Sequence, residues 1–537
     1  MSKQTGTMKA LALILAILMA LAFTACKPGA DSSSGGGAGA SDQQSAEEGE
    51  STAETASGED ANSAGNAAGS KTSGAASKAK STAPVASKNW GTDVGTKSPD
   101  PLEQGVNLKG YNFKIIGFDT DNWGTKTGVS NAEDIRIQMI KNIETKLNCK
   151  IQFTQLAGGT FFSTLQPKIL SGEKVADIIA PTMYEAGAFI SAGLVKPFND
   201  VKNINISRDY WNQNFNKVST INSKTYAVSC DYVPHMLDET AIFFNKTIAK
   251  EMNLDLYTTV QEGKWTIDAF NKMCQDAYKD VDTVKGRSDG DRYGLAAPNW
   301  TRPVSLFVGS GIKVFDNVGG KVVFNFKPTA SSAANTDAIA YLNKLKPICA
   351  QGEGSTYIKA NQSWSVTLDQ FAAGKSLFFL QMASTVSNPE WRDKFRNMKD
   401  DYGILPIPNA KGGKIFYNQV DWNSKVWMVP ATNKESANTG LILDAIAYHA
   451  HYDYNIPHLN EWCSKYLRDK ESVEMVELLQ KHPAYDLLFF AGNNNPKILN
   501  AIDIIVRSCE VKAHDPAQAI PMHENAIRSG IDVFFNN

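Results

Sequence analysis

The sequence lacks the features of several broad classes of protein. Lysine and arginine together number 54 against 56 aspartates and glutamates, a formal net charge of −2, so no basic surface for nucleic acid is expected. The seven cysteines are dispersed without a C-x-x-C pair, and no H-E-x-x-H motif occurs, so we predict no metal site and no cofactor. After the first 25 residues, no apolar run approaches the length that spans a membrane.

The N-terminal stretch is typical of a secretory leader. Lys3 and Lys9 precede an apolar run from Ala10 to Phe23, which is about right for a signal-peptide core and too short to span a bilayer comfortably. The letters FTAC that close the run resemble the bacterial lipobox, with Phe23 where leucine is preferred. We therefore predict a signal peptide over 1–25 and lipidation of Cys26. An ordinary signal peptide with a chance cysteine is the alternative.

A long segment after Cys26 contains almost no Ile, Leu, Phe or Tyr and is rich in serine, glycine and alanine. Such a segment buries too little apolar surface to offset its ordering entropy, so we predict a disordered tether over 26–105. Coil of this composition reaches on the order of 50 Å. The leader and tether together predict a body held by lipid on the outer face of the cell membrane.

The remaining body alternates strand and helix patterns. Strands are predicted at 111–118, 149–153 and 177–180, and helices at about 131–147, 161–170 and 184–193. The first helix begins with Ser130-Asn131-Ala132-Glu133, a capping-box pattern. This order predicts βαβ units and an α/β fold with parallel or mixed sheets. Because the body exceeds one ordinary core, two lobes are expected. The six cysteines after Cys26 permit disulfides without requiring them.

Several stretches, in this order, resemble the extracellular solute-binding proteins of ABC importers, in particular the carbohydrate-binding group that includes maltose-binding proteins. The stretches are ADIIAPTMYEAGAFISAGLVKPFND, DETAIFFNKTIAKEMNL, GKWTIDAFNKMCQDAYKD, FAAGKSLFFLQMAST, DYGILPIPNAKGGK and VDWNSKVWMVPATNKE. The resemblance implies a two-lobed periplasmic-binding-protein-like fold with the ligand between the lobes. It implies that the chain crosses between lobes near Glu239–Asn245 and again near Gly374–Thr385.

The predicted division of the body follows from this resemblance. Residues 106–240 form the first part of lobe 1, and 241–385 form the first part of lobe 2. Residues 386–455 return mainly to lobe 1, and 456–537 supply mainly C-terminal helices of lobe 2.

A calcium-binding loop that occurs in related sequences is altered here to DVDTVKGRSDGDRYG. Asp289 and Asp291 remain, but Lys285 and Arg287 stand where oxygen ligands are needed. Calcium requires six to eight oxygen ligands, and neighbouring cations oppose its binding. We therefore expect no metal.

Ligand residues are sought in loops beyond strand ends, where open α/β sheets bind ligands. Aromatic rings stack on the apolar faces of sugars, while carboxylates and amides bind their hydroxyls. Trp265 and Trp391 are expected in the core. The predicted ligand set is Asp119, Asp121, Trp123, Tyr184, Glu185, Trp300, Arg302, Gln381, Asp421 and Trp422.

The predicted function is a monomeric, non-enzymatic receptor that passes a small solute, most plausibly a sugar or oligosaccharide, to an ABC permease. Peptides and other polar solutes remain open as ligands. A surface enzyme acting on polysaccharide is an alternative, because paired glycosidase carboxylates leave no sequence signature. A sensing or adhesion lipoprotein without transport is another.

Overall fold

The computed structural model describes the body of the protein in thirteen stretches. They are residues 97–118, 127–128, 130–156, 160–232, 237–298, 301–319, 321–326, 333–349, 356–357, 364–485, 498, 505–510 and 515–535. The chain divides into two units, Met1–Ala79 and Lys80–Asn537, and every described residue belongs to the second. The predicted leader, Cys26 and most of the predicted tether lie outside the described residues.

The first lobe is built on a parallel three-stranded sheet. Strand β1 (Tyr111–Phe118) lies at its centre, with β2 (Cys149–Leu156) on one side and β3 (Ile178–Ala180) on the other. The helices between and after these strands are α1 (Asn131–Leu147), α2 (Phe161–Leu170) and α3 (Met183–Ser191). The strand and helix alternation predicted from the sequence is confirmed for all six elements.

Helix α1 begins where its capping pattern predicts. The Ser130 hydroxyl accepts a hydrogen bond from the Glu133 backbone N–H at 3.1 Å, which satisfies one of the free donors of the first turn. The helix ends at Asn148, whose φ of +49° places it in the left-handed region that commonly closes a helix. Its buried face packs Met139, Ile143 and other apolar side chains against the sheet.

Short elements complete the first lobe before the chain leaves it. They are a 3₁₀ turn at Pro101–Gln104, β4 (Val195–Lys196), a 3₁₀ turn at Phe198–Asp200, α4 (Gln213–Val218), β5 (Thr220–Ile221) and β6 (Lys224–Thr225).

The second lobe is built on a mixed five-stranded sheet. Its strands are β7 (Thr240–Asn245), β8 (Tyr293–Ala296), β11 (Thr356–Tyr357), β12 (Ser376–Met382) and β13 (Tyr402–Leu405), in the order β11-β8-β12-β7-β13. Strands β8, β11 and β12 are parallel, whereas β7 runs antiparallel to both of its neighbours. A separate hairpin joins β9 (Phe315–Val318) to β10 (Lys321–Phe324).

Helices surround this second sheet. They are α5 (Lys246–Glu251), α6 (Leu256–Gln261), α7 (Ile267–Ala277), α8 (Thr301–Gly309), α9 (Ala333–Cys349), α10 (Trp364–Ala372), a 3₁₀ turn at Ala383–Ser387 and α11 (Arg392–Arg396). Gly294 in β8 allows α7 to approach closely, because a Cβ atom there would overlap the Cys274 carbonyl oxygen. Thr266 caps α7 as predicted, accepting from the Ala269 N–H at 3.2 Å.

Two of the places at which the chain crosses between the lobes lie side by side. Glu239 forms an antiparallel bridge with Val420, and the Asp421 N–H donates to the Asp238 carbonyl at 3.0 Å. The first crossing is therefore close to its predicted position. The second was expected near 374–385, which is wrong, because β12 lies inside the second sheet.

The return to the first lobe begins after the second crossing. Ile179 and Met428 exchange backbone hydrogen bonds at the edge of the first sheet, and β15 (Val429–Pro430) pairs with β4. Because β13 belongs to the second sheet, the stretch 386–455, predicted to lie mainly in lobe 1, is divided between the two lobes.

The C-terminal part supplies helices to both lobes. Helix α12 (Ser436–His449) packs on α1, and a π-helical turn at Ala450–Tyr454 leads into α13 (Asn455–Tyr466). Helix α14 (Lys470–Lys481) packs on β13, and α15 (Pro516–Phe535) packs on α9 and β10. Two short parallel strands, β14 (Asn418–Gln419) and β16 (Pro483–Ala484), pair beside the second crossing.

The cysteines and the apolar character of the helices complete the description of the body. The six cysteines after Cys26 are all buried, and none of them forms a disulfide. Among the described residues, no helix combines the length and the apolar character needed to cross a membrane.

Trp265 anchors the core of the second lobe, as expected from the sequence. It is fully buried, contacts the rings of Phe270 and Phe378, and donates from Nε1 to the Pro406 carbonyl at 2.8 Å. It precedes α7, rather than lying on a helix as expected.

We expect Trp265→Ala to lower the free energy of unfolding by about 3–5 kcal/mol, because it leaves a large cavity and an unpaired carbonyl. Urea denaturation followed by circular dichroism measures this. Loss of less than about 1 kcal/mol would contradict the assignment of Trp265 to the core.

Candidate ligand site

A cavity of about 600 Å³ lies where the two lobes meet the first crossing. One wall is the beginning of α1, which follows β1. Another wall is Ser384–Arg396, which follows β12, and α13 closes a third side. The cavity therefore lies beyond the carboxyl ends of one strand from each sheet, the edge at which open α/β sheets bind ligands.

The lining combines aromatic rings with charged and neutral polar groups. The aromatic members are Tyr232, Tyr454, Trp462 and Tyr466. The charged or titratable members are Glu133, Arg136, Asp231, Asp238, Arg392, Arg396, His458, Glu461 and Lys465. The remaining members are Ser130, Ala132, Ser384, Ser387, Asn388 and Pro389.

Asp238 ties the crossing to both lobes. Its carboxylate accepts hydrogen bonds from the Ser384 hydroxyl and the Ser424 hydroxyl, both at 3.0 Å. Ser384 follows β12 in the second lobe, whereas Ser424 leads back to the first sheet. Asp238 is thus held in one orientation at the edge of the cavity, where an acceptor can receive a ligand hydroxyl.

Arg136 is held between two tyrosine rings in the wall of the cavity. Its guanidinium lies 5.7 Å from the ring centre of Tyr232 and 5.5 Å from that of Tyr454, and it pairs with Glu133 at 2.6 Å. It is only 1% exposed. Although burial opposes its charge, the neighbouring tyrosines and Glu133 raise the pKa of Arg136. A charge buried in this way is stabilised by its carboxylate and by the ring faces.

His458 is neutral in this environment. Burial lowers its pKa to about 4, and the nearby charge of Arg136 acts in the same direction. Its Nδ1 lies 2.9 Å from the Tyr454 hydroxyl. The ring therefore contributes a polar surface without a positive charge at neutral pH.

Asp231 connects the cavity to the π-helical turn. Its Oδ2 lies 2.7 Å from His451 Nδ1 and accepts from Asn455 Nδ2 at 3.0 Å. The contact with Asp231 raises the pKa of His451 against the opposing effect of its burial. These two contacts fix the position of the Asp231 carboxylate in the wall of the cavity.

Four of the ten predicted ligand residues, Asp119, Asp121, Trp123 and Trp300, lie outside the described residues. Of the other six, none lines the cavity. Their role in ligand binding therefore stays a prediction.

Three of the described six lie together beside the second crossing. The Tyr184 N–H donates to the Trp422 carbonyl at 3.0 Å, and Asp421 follows the bridge between the crossings. Tyr184 and Trp422 are partly exposed, whereas Asp421 is buried. The structure thus brings the loop after β3 next to the return crossing, as an interlobe site requires.

Glu185 and Gln381 are buried and bonded locally. The Glu185 carboxylate accepts from the Thr182 hydroxyl at 3.1 Å, in the first turn of α3. Gln381 lies within β12, where its Oε1 accepts from the Met382 N–H at 3.0 Å. These contacts give both side chains a structural role.

Arg302 lies in the interior of the second lobe and is fully buried. It donates to the Cys349 carbonyl at 3.0 Å and to Glu510 Oε1 at 3.2 Å. This ion pair lies away from the cavity, and a role of Arg302 in ligand binding stays a prediction.

Sequence reasoning missed the residues that line the cavity. Asp238 carried a usable signal, since it stands at the start of the stretch recognised as the crossing, two residues before β7. Arg392 and Arg396 carried none, because charged residues on a short helix are common on any surface.

The acidic loop after α7 places three carboxylates within 4.8 Å of one another, those of Asp280, Asp282 and Asp291. Asp291 already accepts from the Ser288 N–H at 2.9 Å and the Tyr278 hydroxyl at 3.1 Å. These are the described side chains best placed to hold a cation.

Lys285 and Arg287, the two cations expected to oppose calcium binding, belong to the same loop. The Arg287 guanidinium lies 4.3 Å from the ring centre of Tyr278. Asp289 points elsewhere and accepts from the Tyr357 hydroxyl at 2.9 Å. The expected absence of a metal stays a prediction.

Two buried carboxyl groups stand at the crossings beside Asp238. Burial, with a smaller contribution from the charge of Asp238, raises the pKa of Glu239 to about 8. Burial and Asp238 likewise raise the pKa of Asp421 to about 7. Within the described part of the chain, Glu239 Oε2 has no hydrogen-bond partner. Glu239 is therefore mostly protonated at neutral pH.

The raised pKa of Glu239 makes stability depend on pH. Between its unfolded pKa of about 4.5 and its folded pKa of about 8, only the folded state keeps the proton, so stability falls as pH rises through this window. We expect Glu239→Gln to match the wild type near pH 4 and to melt at a higher temperature than the wild type at pH 8. Thermal melts across this range test it, with the exposed Glu262→Gln as control. A constant difference between E239Q and wild type at all pH values would contradict the assignment.

Comparisons with known proteins identify a matching family and several structures of similar fold. The family model described as bacterial extracellular solute-binding protein matches residues 135–448. The diacetylchitobiose binding protein DasA of Streptomyces coelicolor is 24% identical over 266 residues, which are 45% of this chain and 57% of DasA. The match thus spans little more than half the length of that relative.

Solved structures of similar fold cover more of the chain. The maltose-binding protein MalE of Listeria monocytogenes, in complex with maltose, is 15% identical with a TM-score of 0.52, over 78% of this chain and 98% of MalE. UspC of M. tuberculosis is 13% identical with a TM-score of 0.51, over 78% of this chain and all of UspC. The cyclic alpha-maltosyl-1,6-maltose binding protein of Arthrobacter globiformis is 14% identical with a TM-score of 0.50, over 80% and 100%.

These similarities confirm the predicted two-lobed, periplasmic-binding-protein-like α/β fold. Because the family model covers more than half of the chain, this protein belongs to the bacterial extracellular solute-binding proteins.

Proposed function

We propose that this protein is a receptor that binds a sugar or oligosaccharide in the cavity between its lobes and delivers it to an ABC permease. The observation that carries the proposal is the position of the cavity, which is walled by α1 of the first lobe, by Ser384–Arg396 of the second and by Asp238 of the crossing. A ligand there touches both lobes at once. Because it makes more contacts when the lobes are closed than when they are open, it stabilises the closed state, as in hinge-bending receptors.

The size and lining of the cavity suit a small sugar. A volume of about 600 Å³ falls within the range of small-molecule sites, roughly 300–1,000 Å³. Tyr466 and Trp462 offer ring surface for stacking on the apolar face of a sugar, while Asp238, Ser387 and Asn388 offer partners for hydroxyl groups. This combination of rings and acceptors is typical of carbohydrate sites.

The relatives support the same ligand class. DasA is named for diacetylchitobiose, and the structures of MalE and of the Arthrobacter protein are named for maltose and a cyclic maltosyl-maltose. The family is one of binding proteins, so we propose a receptor rather than an enzyme, acting as a monomer with its permease as partner. A carbohydrate ligand for this chain is therefore part of the proposal, supported by what these relatives are named for.

Asp238 provides the test of the site. We expect Asp238→Asn to weaken sugar binding about tenfold or more, because a charged acceptor becomes a neutral amide, while the unfolding midpoint changes little. The ligand is first found by a thermal-shift screen of mono- and oligosaccharides, in which a sugar at 100 times its dissociation constant stabilises the fold by about 2.7 kcal/mol. Titration calorimetry then compares wild type and D238N.

A matched control is Asp400→Asn. Asp400 also accepts hydrogen bonds from two side chains, those of Asn245 and Thr247, but it does not line the cavity. It should bind sugar like the wild type. If D238N binds as tightly as D400N, the cavity is not the ligand site.

Anchoring to the outer face of the membrane is a separate part of the proposal, and Cys26 is its key residue. We expect Cys26→Ala to abolish incorporation of a labelled fatty acid and to weaken the association of the protein with the membrane fraction, because the Cys26 thiol is the group proposed to carry the lipid. Metabolic labelling and cell fractionation measure both effects. Label retained in C26A would contradict the lipoprotein assignment.

A further inference from the structure

The charges that line the cavity are not distributed evenly between its walls. All four lining carboxylates, Glu133, Asp231, Asp238 and Glu461, come from the first lobe, the crossing or α13. Each already has partners within the protein: Arg136 for Glu133, His451 and Asn455 for Asp231, Ser384 and Ser424 for Asp238, and Lys465 with the Ala132 N–H for Glu461.

Among the residues that the structure describes, the wall from the second lobe carries only positive charge. Its charged lining residues are Arg392 and Arg396, which stand one helical turn apart on α11. The acidic residue that approaches both of them is Asp393, at 3.9 Å from Arg392 Nε and 3.6 Å from an Arg396 Nη. Both distances exceed a normal hydrogen bond. Asp393 itself does not line the cavity, and its side chain is 68% exposed.

Arg392 is the better placed of the two. Its Nε is buried, and among the residues that the structure describes it has no hydrogen-bond partner. The backbone that carries it is fixed, because Phe395 of the same helix packs against Phe243 and Tyr402 in the core of the second sheet, with ring centres 5.4 and 5.3 Å apart. The backbone that carries the guanidinium is thus fixed by the core, while the Arg392 side chain as a whole is 40% exposed.

The side chains of Arg392 and Arg396 are 40% and 55% exposed in this structure, and closure of the lobes on a ligand would remove water from them. A guanidinium keeps its charge when it is buried, so its desolvation must be offset by a partner. A neutral sugar offers only hydroxyl groups, whereas a carboxylate or sulfate binds the guanidinium fork through paired, charge-assisted hydrogen bonds. The first-lobe carboxylates already have partners, which leaves the ligand to supply the negative charge.

We propose that the ligand is an acidic oligosaccharide, whose carboxylate or sulfate group binds Arg392 and Arg396 on the second-lobe wall. This rests on the proposed sugar-binding function and specifies its substrate class. The rings on the opposite walls then hold the sugar, and the two arginines select for its charge.

The test uses the full chain in detergent and two matched pairs of sugars. Trigalacturonate is compared with its carboxyl-reduced neutral form, and neocarrabiose sulfate with neocarrabiose, so that the pairs separate carboxylate from sulfate recognition. We expect one acidic sugar to bind at least tenfold tighter than its neutral counterpart, with affinity that falls as salt rises. Arg392→Gln and Arg396→Gln should each weaken that binding about tenfold and remove the preference, with unfolding midpoints unchanged.

Lys394→Gln is the matched control, because Lys394 lies between the two arginines on the same helix but pairs with Asp369 and does not line the cavity. It removes the same charge and should bind the acidic sugar like the wild type.

Three results would overturn the proposal. One is equal binding of an acidic sugar and its neutral counterpart, as expected if the arginines pair with first-lobe carboxylates on closure. Another is unchanged binding in R392Q and R396Q. The third is binding of neutral sugars alone, which would leave the proposed receptor function intact. If neither acidic nor neutral sugars bind, the receptor function itself fails and this inference fails with it.

Discussion

The antiparallel contact between the two crossing segments is the constraint on which the rest of the structure depends. Glu239 bridges Val420, and Asp421 donates to the Asp238 carbonyl, so the chain leaves and re-enters the first lobe at one place. Adjacent residues of an extended strand point to opposite sides. Asp238 accordingly reaches the cavity, while the neighbouring Glu239 is buried behind it, where desolvation keeps its carboxyl group protonated. One short segment thus supplies both a carboxylate in the wall of the cavity and the packed crossing that carries it.

The sequence predicted the first lobe well because its signals are local. The spacing of Met139, Ile140 and Ile143, together with the Ser130 cap, specifies a helix without reference to the rest of the chain. The return crossing was misplaced for the opposite reason. The stretch SLFFLQM is mostly apolar, as a strand buried on both faces usually is, and the pattern does not say which strands it pairs with. Its place between β7 and β8 is decided by residues more than 80 and 130 positions away.

The candidate site shows the same limit at the level of single side chains. The described loop after β3 lies beside the return crossing, but the direction of each side chain depends on tertiary neighbours. Arg302 was predicted to bind the ligand, and its guanidinium pairs with Glu510, 208 positions later in the chain. Asp238 lay within the stretch recognised as the crossing but was not named as a ligand residue. Residues from α11 and α13 enter the cavity only because both helices are folded against the crossing.

The lining residues also show how one cavity can hold several charged groups. Arg136 is enclosed by two tyrosine rings and Glu133, and His458 is neutral, so the first-lobe wall is balanced before any ligand arrives. The backbone that carries Arg392 and Arg396 is fixed by the packing of Phe395, and the Asp393 carboxylate lies beyond hydrogen-bond distance of both guanidinium groups. In the proposed receptor each wall alone offers few contacts, so the open state would bind weakly. The ligand would gain most of its binding energy only when both walls meet it, and that difference would drive closure.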